Sequence, residues 1–270
     1  MNCLKRQLGG KGRRSVVGGR KALSRPVWLN LGQGVAWDGW HGRGIRTNMP
    51  EDYPEYIRGT DIVSFDIYPG NQTRPEVRDK LWMVPYGIER LRKWSDERKP
   101  VWNVVESTGY RGPEGRPTPE QVRSQVWMSL IHGSKGILYF VHVFEPSFIE
   151  AGLLADDEMR QAVAAINQQI QELAPVLNSP TVVDLASASS SNEEVPLAIK
   201  TKRHDGAIYL FAAAMRDGET RGAFSIDGLE GDLHAEVLGK NRTIDVTGGR
   251  FADDFEGYGV HLYKITLPAN

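Results

Sequence analysis

The chain has 270 residues, of which 40% are hydrophobic and 25% charged, with 29 Gly, 15 Pro and a single Cys. This length fits one large domain or two modest ones, and the composition excludes a long disordered chain and a collagen-like chain. One cysteine excludes an internal disulfide framework and a multi-cysteine zinc site. No apolar run is long enough to span a bilayer, so no membrane partner is expected.

The formal net charge of −1 conceals an asymmetry between the start of the chain and the rest. Residues 1–25 hold eight of the 33 basic residues and none of the 34 acidic ones, so residues 26–270 are distinctly acidic. An acidic body argues against a nucleic acid partner. Residues 1–25 have no strand or helix periodicity and no apolar stretch typical of a secretory signal. We expect a basic, disordered arm; a transit peptide, a polyanion-binding tail and a replaced leader remain open alternatives, and the compartment stays open.

Residues 26–178 alternate between buried-strand and helix patterns. The apolar runs 26–31, 61–68, 100–106 and 136–143 are typical of parallel strands. Helices are expected over 50–58, over 76–97 with an interruption at Pro85 and Gly87, over 118–132 and over 156–177. A capping box is predicted at Thr118 and Gln121. Four strand–helix units predict an α/β fold with a parallel sheet.

The length of this region decides how much of a barrel it can form. A complete eight-unit barrel needs about 200 to 250 residues, whereas residues 26–178 number only 153. The sequence therefore predicts a partial (β/α)8 barrel of four units. Its two open sheet edges would favour self-association through edge strands, unless the chain is a fragment.

Residues 179–270 have a different pattern. A Ser/Ala-rich linker over 186–192 is followed by short alternating runs separated by Asp-Gly and Gly-Gly turns. These predict a small antiparallel β-sandwich or barrel of six or more strands, the sandwich being preferred. The predicted domains are thus an arm (1–25), a half barrel (26–178) and a β-sandwich (179–270). All seven Trp precede residue 179.

Polar and aromatic side chains follow the predicted parallel strands, where barrel enzymes place their sites. Glu106 ends the third run, either facing an open site or capping the strand end through backbone N–H groups. Tyr68 ends the second run, where it could orient Glu106 or simply pack at the rim, and Asp66 lies on the same strand face. We expect Glu106 and Tyr68 to be catalytic.

Further candidates follow the first and last runs. Gln33, Trp37 and Trp40 lie in a Gly-rich loop suited to a sugar face, although the two Trp could merely pack the loop. Tyr139 and His142 lie on the fourth run, where His142 is either a site residue or a core histidine. No short spacing among His142, Asp66 and Glu106 is diagnostic of a metal, so neither metal nor cofactor is expected.

These residues together resemble clan A glycoside hydrolases of the β-galactosidase and cellulase-like kind. The resemblance rests on RPVWLNLGQGVAWDG, DIVSFDIYPG, KPVWNVVEST and QVWMSLIHGSKGILYFVH, with FADDFEGYGVHLYKIT matching a C-terminal sandwich. It implies that residues 26–178 are barrel strands five to eight and that the substrate is an oligosaccharide or glycoside. It also implies that Glu106 is the nucleophile of a retaining enzyme, with Tyr68 contacting it.

The resemblance also exposes a departure. The clan supplies its general acid/base from strand four, and no counterpart is present here. Asp38, Asp66 and Glu145 are the candidates for a substitute acid. The expected function is therefore a glycoside hydrolase-like protein that is truncated or weakly active, with a non-catalytic carbohydrate-binding remnant as the alternative. A polyanion-binding role for residues 1–25 is a third, weaker hypothesis.

Overall fold

A computed structural model describes residues 25–41, 46–109 and 115–268. The predicted basic arm lies outside these residues, apart from Arg25. Two sheets organise the described part of the chain: a four-stranded parallel sheet and an eight-stranded antiparallel sheet. The α/β fold with a following β-rich region is therefore confirmed at this level.

The parallel sheet is built from β1 (Trp28–Asn30), β2 (Ile62–Asp66), β3 (Val101–Glu106) and β4 (Gly136–Phe140). Each strand pairs with the next one along the chain, and all pairs are parallel. Each predicted run contains one strand, but β4 ends three residues before the predicted end. Its chain turns away there, and Val143 forms a bridge with Ile149 instead.

Helices follow the strands of the parallel sheet. They are α1 (Tyr53–Arg58), α2 (Met83–Trp94), α3 (Pro119–Ile131), α4 (Gly152–Ala155), α5 (Asp157–Glu172) and α6 (Ala174–Asn178), with short 3-10 turns at Gln33–Val35 and Pro50–Asp52. The predicted capping box is confirmed: Thr118 Oγ1 accepts from Gln121 N–H, and the Gln121 side chain accepts from Thr118 N–H. This pair satisfies two backbone donors at the start of α3.

The predicted interruption of the second helical segment at Pro85 and Gly87 is wrong. Pro85 is the third residue of α2, in the first turn, where a backbone N–H needs no helical partner. Gly87 allows close packing, because a Cβ there would lie 2.4 Å from the Phe65 ring of β2. Residues 76–82 are turns rather than helix. Conversely, the helix predicted over 156–177 is divided near Leu173, where Pro175 cannot donate to the preceding turn.

The β-rich region contains one sheet rather than the two packed sheets of the predicted sandwich. Its strands are β5 (Ala186–Ser190), β6 (Leu197–His204), β7 (Ala207–Ala214), β8 (Thr220–Ile226), β9 (Asp232–Val237), β10 (Arg242–Thr247), β11 (Arg250–Phe255) and β12 (Val260–Thr266). The order is β5-β8-β11-β10-β9-β12-β7-β6, and the two end strands approach each other, so the sheet is nearly closed. The supposed linker contains β5, because its Ser/Ala residues pair with β8. The strand β11 was not predicted.

A shared hydrophobic cluster joins the two sheets through the helices. Trp127 of α3 is fully buried, and its ring centroid lies 5.5 Å from that of Phe211 of β7. Polar contacts accompany the cluster: Ser124 Oγ donates to Tyr258 O at 2.7 Å, and Lys200 Nζ donates to Leu130 O at 2.5 Å. The predicted boundary at residue 179 therefore lies next to an extensively packed contact. In addition, α2 and α3 pack against β2 and β3, so helices cover one face of the parallel sheet.

Candidate functional site

The other face of the parallel sheet borders a cavity of about 720 Å³. Residues of all four strands, and of the segments that follow β1 and β4, line it. Side chains that carry polar groups or rings there are Trp28, Asn30, Gln33, Trp40, Asp66, Tyr68, Tyr139, Phe140 and His142. Six of the eight predicted site residues are therefore brought to one cavity, namely Gln33, Trp40, Asp66, Tyr68, Tyr139 and His142.

A chain of hydrogen bonds orients the polar groups on β1 and β2. Trp28 Nε1 donates to Ser64 Oγ at 2.9 Å, and Ser64 Oγ donates to Asn30 Oδ1 at 2.9 Å. Asn30 Nδ2 then donates to Asp66 Oδ1 at 2.7 Å. Because Asn30 accepts on one side and donates on the other, its amide orientation is fixed. Asp66 is consequently held in place at the cavity by a group that sequence reasoning missed.

Glu106 is at the end of β3 but does not line the cavity. Its side chain is fully buried, and both carboxyl oxygens are engaged. Oε1 accepts from Gly70 N–H at 2.7 Å and from Gln125 Nε2 at 2.9 Å, while Oε2 accepts from Asn71 N–H at 2.9 Å and Asn71 Nδ2 at 2.8 Å. Two of these four donors are backbone groups, which matches the strand-end capping alternative.

Burial and hydrogen bonding act in opposite directions on Glu106. Burial raises the pKa of its carboxyl group, and the hydrogen bonds from Gly70, Asn71 and Gln125 lower it, leaving the pKa at about 7. Gln125 Oε1 is itself buried without a hydrogen-bond partner. Rotation of the Gln125 amide would present this oxygen to a protonated Glu106, so the pocket can hold either protonation state.

The expected hydrogen bond between Tyr68 and Glu106 is not formed. The donors to Glu106 come from Gly70, Asn71 and Gln125, whereas the Tyr68 ring lies against Phe140, with ring centroids 5.2 Å apart. The chain turns at Pro69 and Gly70, which brings the 70–71 backbone over Glu106 in place of Tyr68. A Cβ at residue 70 would approach Glu106 Oε1 to 3.0 Å and the Pro117 backbone to 3.1 Å, so glycine permits this approach.

The two Trp of the Gly-rich loop have different positions. Trp40 borders the cavity, whereas Trp37 packs against the cluster beneath β1 and β2 and lies under the Arg74 guanidinium at 5.6 Å. The ring centroids of the two Trp are 5.7 Å apart. Trp37 therefore supports the loop, and Trp40 presents its ring. Gln33 Oε1, beside them, accepts from Gln72 Nε2 at 3.5 Å.

The two candidates on the fourth run also diverge. Tyr139 Oη donates to Asn167 Oδ1 of α5 at 2.9 Å, so its hydroxyl points toward the helix layer, and burial raises its pKa. His142 lies beyond β4 at the cavity, with Nδ1 2.6 Å from Glu150 O, and its ring contacts Phe140, Phe144 and Phe148. Because the Glu150 carbonyl can only accept, Nδ1 of His142 carries the proton and Nε2 is the acceptor nitrogen.

Sequence reasoning missed Asn71 and Gln125 as partners of Glu106. A signal for Gln125 exists, because Gln125 and Ser129 are four residues apart on a helix face that is otherwise apolar. Ser129 Oγ accepts from Asn103 Nδ2 at 2.9 Å, so the same face of α3 meets two polar residues of β3. No comparable pattern marks Asn71, which lies in a loop.

The described residues offer no metal site and no membrane span. Within residues 25–41, 46–109 and 115–268, no group of three His, Cys, Asp or Glu side chains could hold a metal ion. None of the helices in these ranges is both long and apolar enough to cross a membrane. Asp38, a candidate acid, forms an ion pair with Arg90 at 2.7 Å. The cavity can therefore offer rings and neutral or acidic hydrogen-bonding groups to a ligand.

Comparison with known proteins finds similarity of fold only. No family model and no curated protein matches the chain. A maltogenic alpha-amylase, AmyB from Thermotoga neapolitana, is 12% identical, with a TM-score of 0.50 over 80% of this chain and 53% of that one. An alpha-amylase from Geobacillus thermoleovorans is 9% identical, with a TM-score of 0.48 over 82% of this chain and 58% of that one. A GH30 endoxylanase from Clostridium papyrosolvens is 13% identical, with a TM-score of 0.43 over 77% of this chain and 50% of that one. The chain spans about half the length of these enzymes.

Proposed function

We propose that this glycoside hydrolase-like chain binds an oligosaccharide in the cavity of its parallel sheet. The observation that carries this proposal is the pairing of rings with fixed polar groups. Trp40, Tyr68 and Phe140 border the same space as Asp66, whose orientation is set by Asn30. A ring covers the apolar face of a sugar while a carboxylate accepts from its hydroxyls. Part of the cavity lining follows the carboxyl ends of the strands (Trp40, Tyr68 and His142), where parallel sheets place ligands.

The proposal also includes the position of this chain within a complete enzyme and the kinds of partner it has. Residues 26–178 would correspond to barrel strands five to eight of a clan A enzyme, and residues 179–270 to its C-terminal β domain. The ligand would be bound without metal or organic cofactor, and neither nucleic acid nor membrane would be a partner. Because β1 and β4 are the edge strands of the sheet among the described residues, self-association through them is part of the proposal. Sedimentation at several concentrations tests it, and a monomer throughout would contradict it.

For the chain by itself, binding without turnover is the function that the geometry supports best. Retaining hydrolysis by two carboxylates requires carboxyl groups about 5 to 5.5 Å apart on either side of the scissile bond. Glu106, the proposed nucleophile, is directed at Gly70, Asn71 and Gln125 and has no exposed surface. Moreover, a carboxyl group with a pKa of about 7 suits a proton donor better than an ionised nucleophile.

Hydrolysis with Glu106 as nucleophile and Tyr68 beside it is the second candidate. Its support is the position of Glu106 at the carboxyl end of β3, beside the strand that ends in Tyr68. This candidate requires the Glu106 side chain to leave its four hydrogen bonds and a second carboxyl group to come from elsewhere. Asp66 is the acidic side chain of the described cavity lining.

Calorimetric titration with α-linked and β-linked oligosaccharides tests the proposal, with a hydrolysis assay run on the same samples. Trp40→Ala should weaken binding about tenfold, as expected for removal of a ring worth about 1 to 2 kcal/mol. Tyr86→Ala is the matched control, because Tyr86 is a partly exposed aromatic residue of α2 outside the cavity lining. Equal affinities in wild type and Trp40→Ala would contradict the proposed binding site.

The hydrolysis assay separates the two candidates. Binding of oligosaccharide without release of hydrolysis product supports the first candidate, binding without turnover. Product release that disappears in a folded Glu106→Gln variant, while binding persists, supports the second. Product release that persists in that variant would exclude Glu106 as the nucleophile.

A further inference from the structure

A second cluster of ionisable groups lies in the β-rich region, remote in sequence from the cavity. Lys240 is in the turn between β9 and β10, His261 is on β12 and Asp253 is on β11. Lys240 Nζ is 2.7 Å from His261 Nε2, and His261 Nδ1 is 2.6 Å from Asp253 Oδ2. An amine, an imidazole and a carboxylate are thus hydrogen-bonded in series.

The contacts of Asp253 determine which imidazole nitrogen carries the proton. Asp253 Oδ2 also accepts from Tyr263 Oη at 2.8 Å and from Arg242 at 2.7 Å, and Oδ1 accepts from Asp254 N–H at 3.0 Å. Burial raises the pKa of Asp253, but the hydrogen bonds from His261, Arg242 and Tyr263 outweigh it and lower the pKa overall. An ionised Asp253 requires a proton on His261 Nδ1, so the lone pair of Nε2 faces Lys240.

The imidazole is fixed, whereas the lysine can be reached from solvent. His261 is 5% exposed and its ring is stacked on Phe255, with centroids 4.3 Å apart, while Lys240 is exposed. The Lys240 amine is partly desolvated although the side chain is exposed, and this desolvation, together with the positive charges of Arg123 and Arg242, lowers the pKa of Lys240; Asp253 and Glu256 act in the opposite direction. Positive charge around an exposed amine favours an approaching anion.

We propose that Lys240 is a nucleophilic modification site that accepts an acyl group from an anionic acyl donor such as an acyl phosphate. His261 is the base, and Asp253 is a positioning residue that holds the imidazole. A nucleophile within hydrogen-bond reach of a base, which a third group orients in turn, is the arrangement that activates side-chain nucleophiles. The separations of 2.7 and 2.6 Å meet this condition.

The step is an acyl transfer that requires no oxidant or reductant. The neutral amine of Lys240 attacks the acyl carbon, and a nitrogen–carbon bond forms. As it forms, a proton of the amine passes to His261 Nε2. The bond between the acyl carbon and the phosphate oxygen then breaks, and phosphate leaves with the electron pair. His261 returns its extra proton to solvent, leaving an amide on Lys240.

Lys200 provides an internal comparison, because its amine is also perturbed but is hydrogen-bonded to a backbone carbonyl rather than to an imidazole nitrogen. Burial and the charges of Lys202, Lys135 and Arg92 lower its pKa to about 7, and its Nζ donates to Leu130 O. If a lowered pKa alone sufficed for reaction, Lys200 would react as readily as Lys240. Lys93 supplies the ordinary case of an exposed lysine.

The experiment treats the full chain with acetyl phosphate and quantifies acetylation of each lysine by peptide mass spectrometry over time. Lys240 should react about 10²-fold faster than Lys93, the lower end of what a positioned base contributes. It should also react faster than Lys200. Equal rates at Lys240 and Lys93 in the folded wild type would overturn the proposal without any variant being needed.

Two variants test the roles of the partners. His261→Asn retains a donor toward Asp253 but removes Nε2, so acetylation of Lys240 should fall to the rate of Lys93, whose own rate should not change. Asp253→Ala removes the acceptor of Nδ1–H and leaves Nδ1 facing Tyr263 Oη at 3.2 Å and the Arg242 guanidinium at 3.5 Å. The imidazole proton should therefore move from Nδ1 to Nε2, which the nitrogen NMR shifts of His261 report, and acetylation of Lys240 should slow. A folded His261→Asn protein with an unchanged Lys240 rate would refute the assigned base.

Discussion

The two sheets differ in how completely they bury their side chains. In the antiparallel sheet, every residue of β7 is buried, because one face packs inside the nearly closed sheet and the other against α3 and α6. In the parallel sheet, no residue of β4 is fully buried, and Trp28 of β1 is 47% exposed. Strands with apolar side chains on both faces are typical of sheets that are packed against other elements on both faces. Among the described residues, helices cover one face of the parallel sheet, whereas the other face borders the cavity.

The contact between the two regions gives the largest expected effect. Trp127→Ala should lower the free energy of unfolding by about 3 to 5 kcal/mol, because it empties a fully buried site shared by α3 and β7. Urea unfolding followed by tryptophan fluorescence and by far-UV circular dichroism measures this loss. Coincident transitions in the wild type and separate ones in the variant would show that this cluster couples the two sheets.

Trp127→Phe is the matched control. Trp127 Nε1 is buried without a hydrogen-bond partner, so replacing the indole by a phenyl ring removes no hydrogen bond. We expect a cost well below that of alanine. A cost equal to that of alanine would mean that ring packing is not what stabilises the contact.

A pair of leucines compares the two sheets directly. Leu210 of β7 is fully buried, and Leu210→Ala should cost about 2 to 5 kcal/mol. Leu138 of β4 borders the cavity, and Leu138→Ala should cost about 1 kcal/mol, since only part of its surface is buried. Denaturant midpoints at a common m-value give both numbers. Similar costs would show that the open face of the parallel sheet is covered in solution.

Glu106, the buried carboxyl group of the parallel sheet, should make the free energy of unfolding depend on pH. Because its pKa is raised from 4.5 to about 7 in the folded chain, the folded state retains a proton that the unfolded chain releases. The stability from this group is present below pH 4.5 and lost as the pH rises through 7. The loss should be about 3 kcal/mol, from the size of the pKa change.

Glu106→Gln should remove this pH dependence, and unfolding free energies measured from pH 4.5 to 8 report it. The same variant should cost about 1 to 3 kcal/mol at low pH, because its NH₂ group would face the N–H donors of Gly70 or Asn71. A pH slope that persists in Glu106→Gln would assign it to another group. His132 cannot account for such a slope, because burial lowers its pKa and the stability from that group is lost as the pH falls rather than as it rises.

Local sequence patterns predicted the elements better than their interruptions. The four parallel strands and the Thr118–Gln121 capping box were predictable because each depends on residues close together in the chain. Pro85 and Gly87 were misread, because the same residues are compatible with a helix in its first turn or against the Phe65 ring. The Ser/Ala stretch that forms β5 has little strand propensity of its own, and its pairing with β8 determines its structure.

The candidate site shows the same division. Periodicity and position placed Asp66, Tyr68 and Glu106 at the ends of neighbouring strands, and β2 and β3 do pair. Only the tertiary structure decided that Glu106 turns to Gly70, Asn71 and Gln125, while the Tyr68 ring lies against Phe140. A strand pattern determines which residues reach a sheet edge. The direction of a side chain there depends on loops and helices distant in sequence, because the buried carboxyl group must find donors wherever the fold supplies them.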